Sequence, residues 1–123
     1  MTPRGGSVEP IIIIDELYAR LGDDDVLVLD CRGAEDWVRF EAQIPGALRM
    51  TAAEIALDLA ILPDDELIIL CGCAVDGADT WELCRLLRAH GRDAVCLSGG
   101  LLAWMGAGYP TERHPAAPPC APP

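Results

Sequence analysis

Two short runs without a polar residue, Val26-Leu27-Val28-Leu29 and Leu67-Ile68-Ile69-Leu70, constrain this chain more than anything else in it. A strand with one wet face alternates apolar and polar residues, whereas a strand that is apolar throughout is buried on both faces. Each run is strand-length, and a helical pattern follows each after a turn. Buried strands alternating with helices give a parallel sheet, linked by right-handed crossovers and covered by helices on both faces. The expected fold is therefore α/β and three-layered, with about five parallel strands and the two apolar runs at the centre.

The remaining segments fit that plan. Ile11-Ile12-Ile13-Ile14 reads as a first strand, followed by a short helix with Asp15 as cap and Leu17 and Leu21 on one face. The acidic turn Asp23-Asp24-Asp25 leads into Val26, and a helical stretch runs near Glu35 to Phe40. Ile44-Pro45-Gly46 turns into an extended piece from Ala47 to Met50. Thr51 with Glu54 three positions on has the spacing of a capping box, and Ile55, Leu59 and Leu62 form the stripe of that helix. After Cys71, Leu83, Leu86, Leu87 and His90 recur at helical spacing, and Gly91 ends the pattern. Ala94 to Leu97 is the last strand, and Gly99-Gly100 opens a short helix with Leu101, Leu102 and Trp104, closed by Gly108 and Pro110. Residues 1–9 form a Gly/Pro-bearing N-terminal segment, residues 10–112 the domain, and residues 113–123 a Pro-rich tail.

At 123 residues the chain supports one hydrophobic core. Nine arginines, no lysine and 20 carboxylates leave a net charge of −11. That surface repels polyanions, which argues against a nucleic-acid partner. No apolar segment approaches the ~18 residues of a membrane span, so no membrane partner is expected. Met1 to Pro10 lacks the apolar stretch of a secretory signal. Of the six cysteines, Cys31, Cys84 and Cys96 fall inside patterned elements, where a thiol serves as a small hydrophobe, and Cys120 lies in the tail. The reading is a cytoplasmic, reducing setting.

Cys71 carries the chemistry. It ends the second apolar run, which puts its thiol at the carboxyl edge of a central strand, where open α/β sheets bind ligands. Asp30 ends the other central run and lies at the same edge. The turn Cys71-Gly72-Cys73-Ala74-Val75-Asp76-Gly77 leads to a helix, so the backbone N–H groups of Gly72, Cys73, Ala74, Val75, Asp76 and Gly77 form a candidate cradle for an anion or a persulfide. Backbone donors and a helix N-terminus favour a thiolate.

Taken in order, four segments resemble the rhodanese family of sulfurtransferases. Asp30-Cys31-Arg32 resembles its Asp-X-Arg, and Ile44-Pro45-Gly46-Ala47 its Ile-Pro-Gly-Ala turn. Cys71 occupies the place of its active-site loop. Leu97-Ser98-Gly99-Gly100-Leu101-Leu102-Ala103-Trp104, with Ala107-Gly108-Tyr109-Pro110, resembles its Gly-Gly-X-X-X-Trp and Gly-Tyr-Pro. The resemblance implies a rhodanese-like fold and a sulfurtransferase or persulfide carrier with Cys71 as nucleophile. It implies Asp30 and Arg32 as structural support, a small sulfur donor and a thiol acceptor as partners, and no metal or organic cofactor. A protein partner is also compatible with it. The rival reading is a binding or redox-regulatory module on the same fold without turnover.

Departures from the family pattern bear on the donor. Ala42-Gln43 stands where Gly-His commonly precedes Ile-Pro-Gly-Ala, and the active-site loop has no arginine. The Cys-X-Cys start and the acidic Asp76 are more similar to a minority branch. A carboxylate turned toward Cys71 would oppose its thiolate and repel thiosulfate. Turned outward, or capping the next helix as Asp79 and Thr80 also can, it would not. The expectation is weak thiosulfate use and preference for a less charged persulfide donor. Cys73 reads either as an auxiliary, resolving thiol or as an incidental loop residue. A zinc site lacks a second ligand pair, a phosphatase would need a loop arginine, and thioredoxin-like exchange would need Cys-X-X-Cys. His90, His114, Trp37 and Trp104 read as structural or incidental. Trp81 reads as core packing, or as a shield at the rim of the site.

Overall fold

The computed structural model describes residues 10–72 and 78–113. In chain order the first elements are β1 (Ile11–Ile12), α1 (Ile14–Arg20), β2 (Val26–Asp30), α2 (Ala34–Arg39), β3 (Ala42–Gln43) and β4 (Leu48–Arg49). Then come α3 (Ala52–Leu57), a 3₁₀ turn over Leu59–Ile61, β5 (Leu67–Cys71), α4 (Ala78–Ala89), β6 (Asp93–Leu97), α5 (Gly100–Gly106) and β7 (Glu112–Arg113).

The main sheet has five strands in the order β1-β6-β5-β2-β4, every pair parallel. The two apolar runs are β2 and β5, neighbours in the interior of the sheet, as wholly apolar strands must be. Their alternate residues feed the two layers of the core, one on each face of the sheet. Leu29, Ile68, Leu70, Ala94 and Cys96 meet Ile55 of α3 and Leu83, Cys84 and Leu87 of α4. Val28, Ile69, Cys71 and Leu97 meet Leu17 of α1 and Leu101 and Trp104 of α5 on the other face. Helices on both faces of a central parallel sheet make the three-layer α/β fold. The edge strands β1 and β4 are only two residues long, which limits pairing with another chain.

Local chemistry explains two of the boundaries. Thr51 Oγ1 accepts from the Glu54 amide at 3.1 Å while Glu54 Oε1 accepts from the Thr51 amide at 2.8 Å, completing the capping box of α3. Gly91 stands beyond the end of α4 at φ +82°, the left-handed conformation that terminates a helix without a Cβ clash.

Some expectations need correction. The isoleucine run divides: only Ile11 and Ile12 pair with β6, Ile13 is the extended residue before the helix, and Ile14 begins α1. Asp15 therefore sits in the first turn of α1 instead of capping it, and its carboxylate accepts the Tyr109 hydroxyl. α3 stops at Leu57, and the chain tightens into the 3₁₀ turn before Leu62 enters the core. His90 is exposed past the end of α4, with Nδ1 3.0 Å from the Leu86 carbonyl. Leu102 is exposed at 41% while Leu101 and Trp104 are buried. The antiparallel pair β3–β7 was not expected; it joins Ala42 to Arg113 and Gln43 to Glu112.

Candidate functional site

Cys71 is the last residue of β5, and its side chain is 1% exposed. Strand alternation turns it, with Ile69, toward the α1 and α5 face of the sheet. Its Sγ donates to the Gly72 carbonyl at 3.4 Å, and the same carbonyl accepts the Leu101 amide of α5 at 2.9 Å. The Cys71 carbonyl accepts the Cys31 amide at 3.1 Å and the Cys31 thiol at 3.6 Å. The nucleophile candidate thus sits on backbone clamped by β2 on one side and α5 on the other. Of the candidate cradle, Gly72 is described and buried; Cys73, Ala74, Val75, Asp76 and Gly77 lie outside the described residues.

Gly72 is constrained further by α4. A Cβ built on Gly72 would lie 2.8 Å from Oγ1 of Thr80, in the first turn of that helix. The sequence therefore needs glycine here, and the helix start packs against the peptide that follows Cys71.

Asp30 and Cys71 are registered partners across β2 and β5, as their shared sheet edge predicts. Arg32 is a fully buried side chain whose Nε and Nη2 grip the Asp30 carboxylate at 2.8 to 3.1 Å. Its remaining donors reach the Phe40 carbonyl at 3.2 Å and the Ala42 carbonyl at 3.1 Å. A buried ion pair is favourable only when its leftover hydrogen-bonding capacity is met, and here backbone oxygens meet it. The pair ties the end of β2 to the end of α2 and to β3, a structural role.

Two features of this edge were not read from the sequence. Arg49 on β4 donates Nη1 to the Arg32 carbonyl at 2.6 Å and to the Asp30 carbonyl at 3.3 Å. Trp37 lies under both guanidinium groups, with Arg49 4.4 Å and Arg32 4.9 Å from the ring centroid. Trp37 is thus a platform for cations more than a core residue. Gln43, which stands where the family commonly has His, is buried and donates Nε2 to Glu112 at 2.7 Å. Glu112 also accepts the Gly46 amide at 3.1 Å, so the Ile44–Ala47 turn is anchored to β7.

The other described thiols have core roles. Cys84 donates to the Ala94 carbonyl at 3.3 Å and Cys96 to the Thr80 carbonyl at 3.6 Å. Interaction with the Cys84 sulfur, reinforced by burial, holds the Cys96 thiol well above the usual range. Burial, and then the Asp30 charge beside it, pushes the Cys31 thiol up to about 11. Trp81 packs against the α3–α4 core. Among the described residues no group of three or more His, Cys, Asp or Glu side chains is placed to hold a metal ion, and no helix is long and apolar enough to cross a membrane.

Comparison with known proteins agrees with this geometry. The chain is 33% identical over 114 residues to the HTH-type transcriptional regulator Rv0324 of Mycobacterium tuberculosis, a match covering 88% of this chain and 47% of that protein. The chain therefore spans about half the length of that relative. A crystal structure of a rhodanese-like domain protein from Staphylococcus aureus superposes with a TM-score of 0.65 at 27% identity, covering 76% of this chain and 89% of that one. A rhodanese-related protein from Thermoplasma volcanium shares the fold with a TM-score of 0.70 at 22% identity, covering 82% and 95% of the two chains. The family model described as the rhodanese-like domain matches residues 14–107, from the start of α1 to the end of α5. Family match, sheet order and the cysteine at the central strand's carboxyl edge agree: this chain is a member of the rhodanese-like domain family.

Proposed function

We propose that this protein is a sulfurtransferase that carries a persulfide on Cys71. The observation that supports the reading best is the placement of Cys71 at the carboxyl end of the central strand, inside the region that matches the rhodanese-like family. The Cys71 thiolate attacks the outer sulfur of a donor R–S–SH, and a Cys71–S–SH bond forms as the donor S–S bond breaks. The R–S⁻ leaving group departs with the bond's electron pair and takes a proton from solvent. An acceptor thiolate then attacks the outer sulfur of the cysteine persulfide and releases the Cys71 thiolate. Sulfur moves without an external oxidant or reductant. Amides of the loop from Gly72 to Gly77 hold the terminal sulfur in this reading, and Cys73 serves as an auxiliary thiol. The low exposure of Cys71 fits a carrier that protects its persulfide from bulk thiols. The setting is cytoplasmic, and thiosulfate is a poor donor.

A second reading is favoured by one comparison, the match to roughly half of a transcriptional regulator. There the same domain serves as a regulatory module in which Cys71 senses a sulfur species without turning it over. Single-turnover loading followed by transfer to an added thiol separates the two. A carrier loads and unloads repeatedly, whereas a sensor loads and holds.

A further inference from the structure

We propose that Arg49 binds the sulfur donor and that what it recognises is the carboxylate of an organic persulfide. The proposal rests on the carrier reading above and names its substrate class. Asp30 is registered with Cys71 on one side and with Arg49 on the other, so the three residues form one row at the carboxyl edge of β5, β2 and β4. Registered partners in a sheet present their side chains on the same face. Arg49 does not stay over its own strand: Nη1 is drawn to the Asp30 and Arg32 carbonyls at 3.3 and 2.6 Å. Its charge is thereby carried across to the end of β2, the strand beside Cys71, about one strand spacing of ~5 Å away.

This guanidinium is positioned in advance and has capacity left. It rests on the Trp37 ring at 4.4 Å, and its side chain is 23% exposed. Among the described residues its Nε and Nη2 make no hydrogen bond, which leaves the edge that carboxylates engage side-on. Its charge is not spent on Asp30. Arg32 already grips that carboxylate with three hydrogen bonds, and Arg49 Nη1 stands 3.9 Å from Asp30 Oδ1. Among the described residues of this cluster, one carboxylate stands against two guanidinium groups, which leaves one positive charge in a chain whose net charge is −11. An incoming anion meets its attractive field here.

Distance sets the substrate class. In thiosulfate the sulfonate is bonded directly to the sulfane sulfur, about 2 Å away, so its oxygens stay beside Cys71 during attack. In a cysteine-type persulfide several bonds separate the carboxylate from the sulfane sulfur, a reach on the order of the ~5 Å strand spacing between the ends of β5 and β2. During transfer the Cys71 thiolate takes the outer sulfur, the S–S bond of the donor breaks, and R–S⁻ leaves with that bond's electron pair while its carboxylate remains on Arg49.

The test compares two donors that differ only in that charge: N-acetylcysteine persulfide and its methyl ester. Loading of Cys71 is followed by intact mass in wild type, Arg49→Gln and Arg49→Lys. For the acid, the half-saturating concentration rises about tenfold or more in Arg49→Gln, as expected for a charged hydrogen bond, and Arg49→Lys recovers part of it. The ester, which lacks that charge, loads all three proteins alike. An equal effect on acid and ester, or none on either, overturns the proposal. A second measurement is independent of turnover: N-acetylcysteine titrated into Cys71→Ser shifts the Trp37 indole NMR signal, and adding Arg49→Gln abolishes the shift. If that shift is absent, the Arg49 site is wrong even where loading is seen. If the shift is present but no donor loads wild type, the site stands and the carrier reading falls.

Discussion

Oγ1 of Thr80 stands 2.8 Å from where a Cβ would project from Gly72, so the start of α4 rests directly on the peptide that follows Cys71. Thr80 is itself buried, and its carbonyl accepts the Cys96 thiol at 3.6 Å. A β-branched side chain held this way has little freedom to move aside.

Gly72→Ala is therefore expected to destabilise the fold by about 1–3 kcal/mol, the usual cost of overpacking. Thr80→Ala removes the obstructing hydroxyl. Urea unfolding of both single variants and the double variant tests the contact, with the double variant less destabilised than the sum of the two. Strict additivity would mean that the contact does not constrain Gly72.

Arg32 meets Asp30 and three backbone carbonyls from full burial. Removing it in Arg32→Met strands a buried carboxylate and should cost about 3–5 kcal/mol. Arg32→Lys should also be clearly destabilising, because an ammonium cannot reproduce the planar fork. The urea midpoint reads both changes. A lysine variant as stable as wild type would show that point charge alone is what this position needs.

The Cys31 thiol is held at about 11, against an ordinary 9.0, by burial and then by Asp30. A raised thiol keeps its proton in the folded state after the unfolded chain has lost it. The stability linked to Cys31 is therefore complete below pH 9.0 and falls as pH rises toward about 11. Replacing it in Cys31→Ala should flatten that part of the stability profile. Alkylation of Cys31 in the native protein should stay slow at pH 8 and accelerate through the same window; fast labelling near neutrality would contradict the burial argument.

The layers of this fold were legible because Val26–Leu29 and Leu67–Leu70 are apolar at every position, and only a strand buried on both faces needs that. The Asp30–Cys71 row followed from the same pattern, since both residues end such strands. The four isoleucines were illegible for the opposite reason. A uniform run has no period, and pairing with β6 alone decides that Ile11 and Ile12 are strand while Ile14 is helix. Arg49 carries no local signal either. It lies in a two-residue edge strand, and its meaning arises only from register with Asp30. The bond from Gln43 to Glu112 joins residues 69 positions apart, beyond the reach of any local pattern.

The most direct test of the account is intact mass after exposure to an organic persulfide donor, comparing wild type with Cys71→Ser. One added sulfur is expected on wild type, removed by a reducing thiol and absent from Cys71→Ser. An unmodified wild type, or equal sulfur on both proteins, would contradict Cys71 as the carrier.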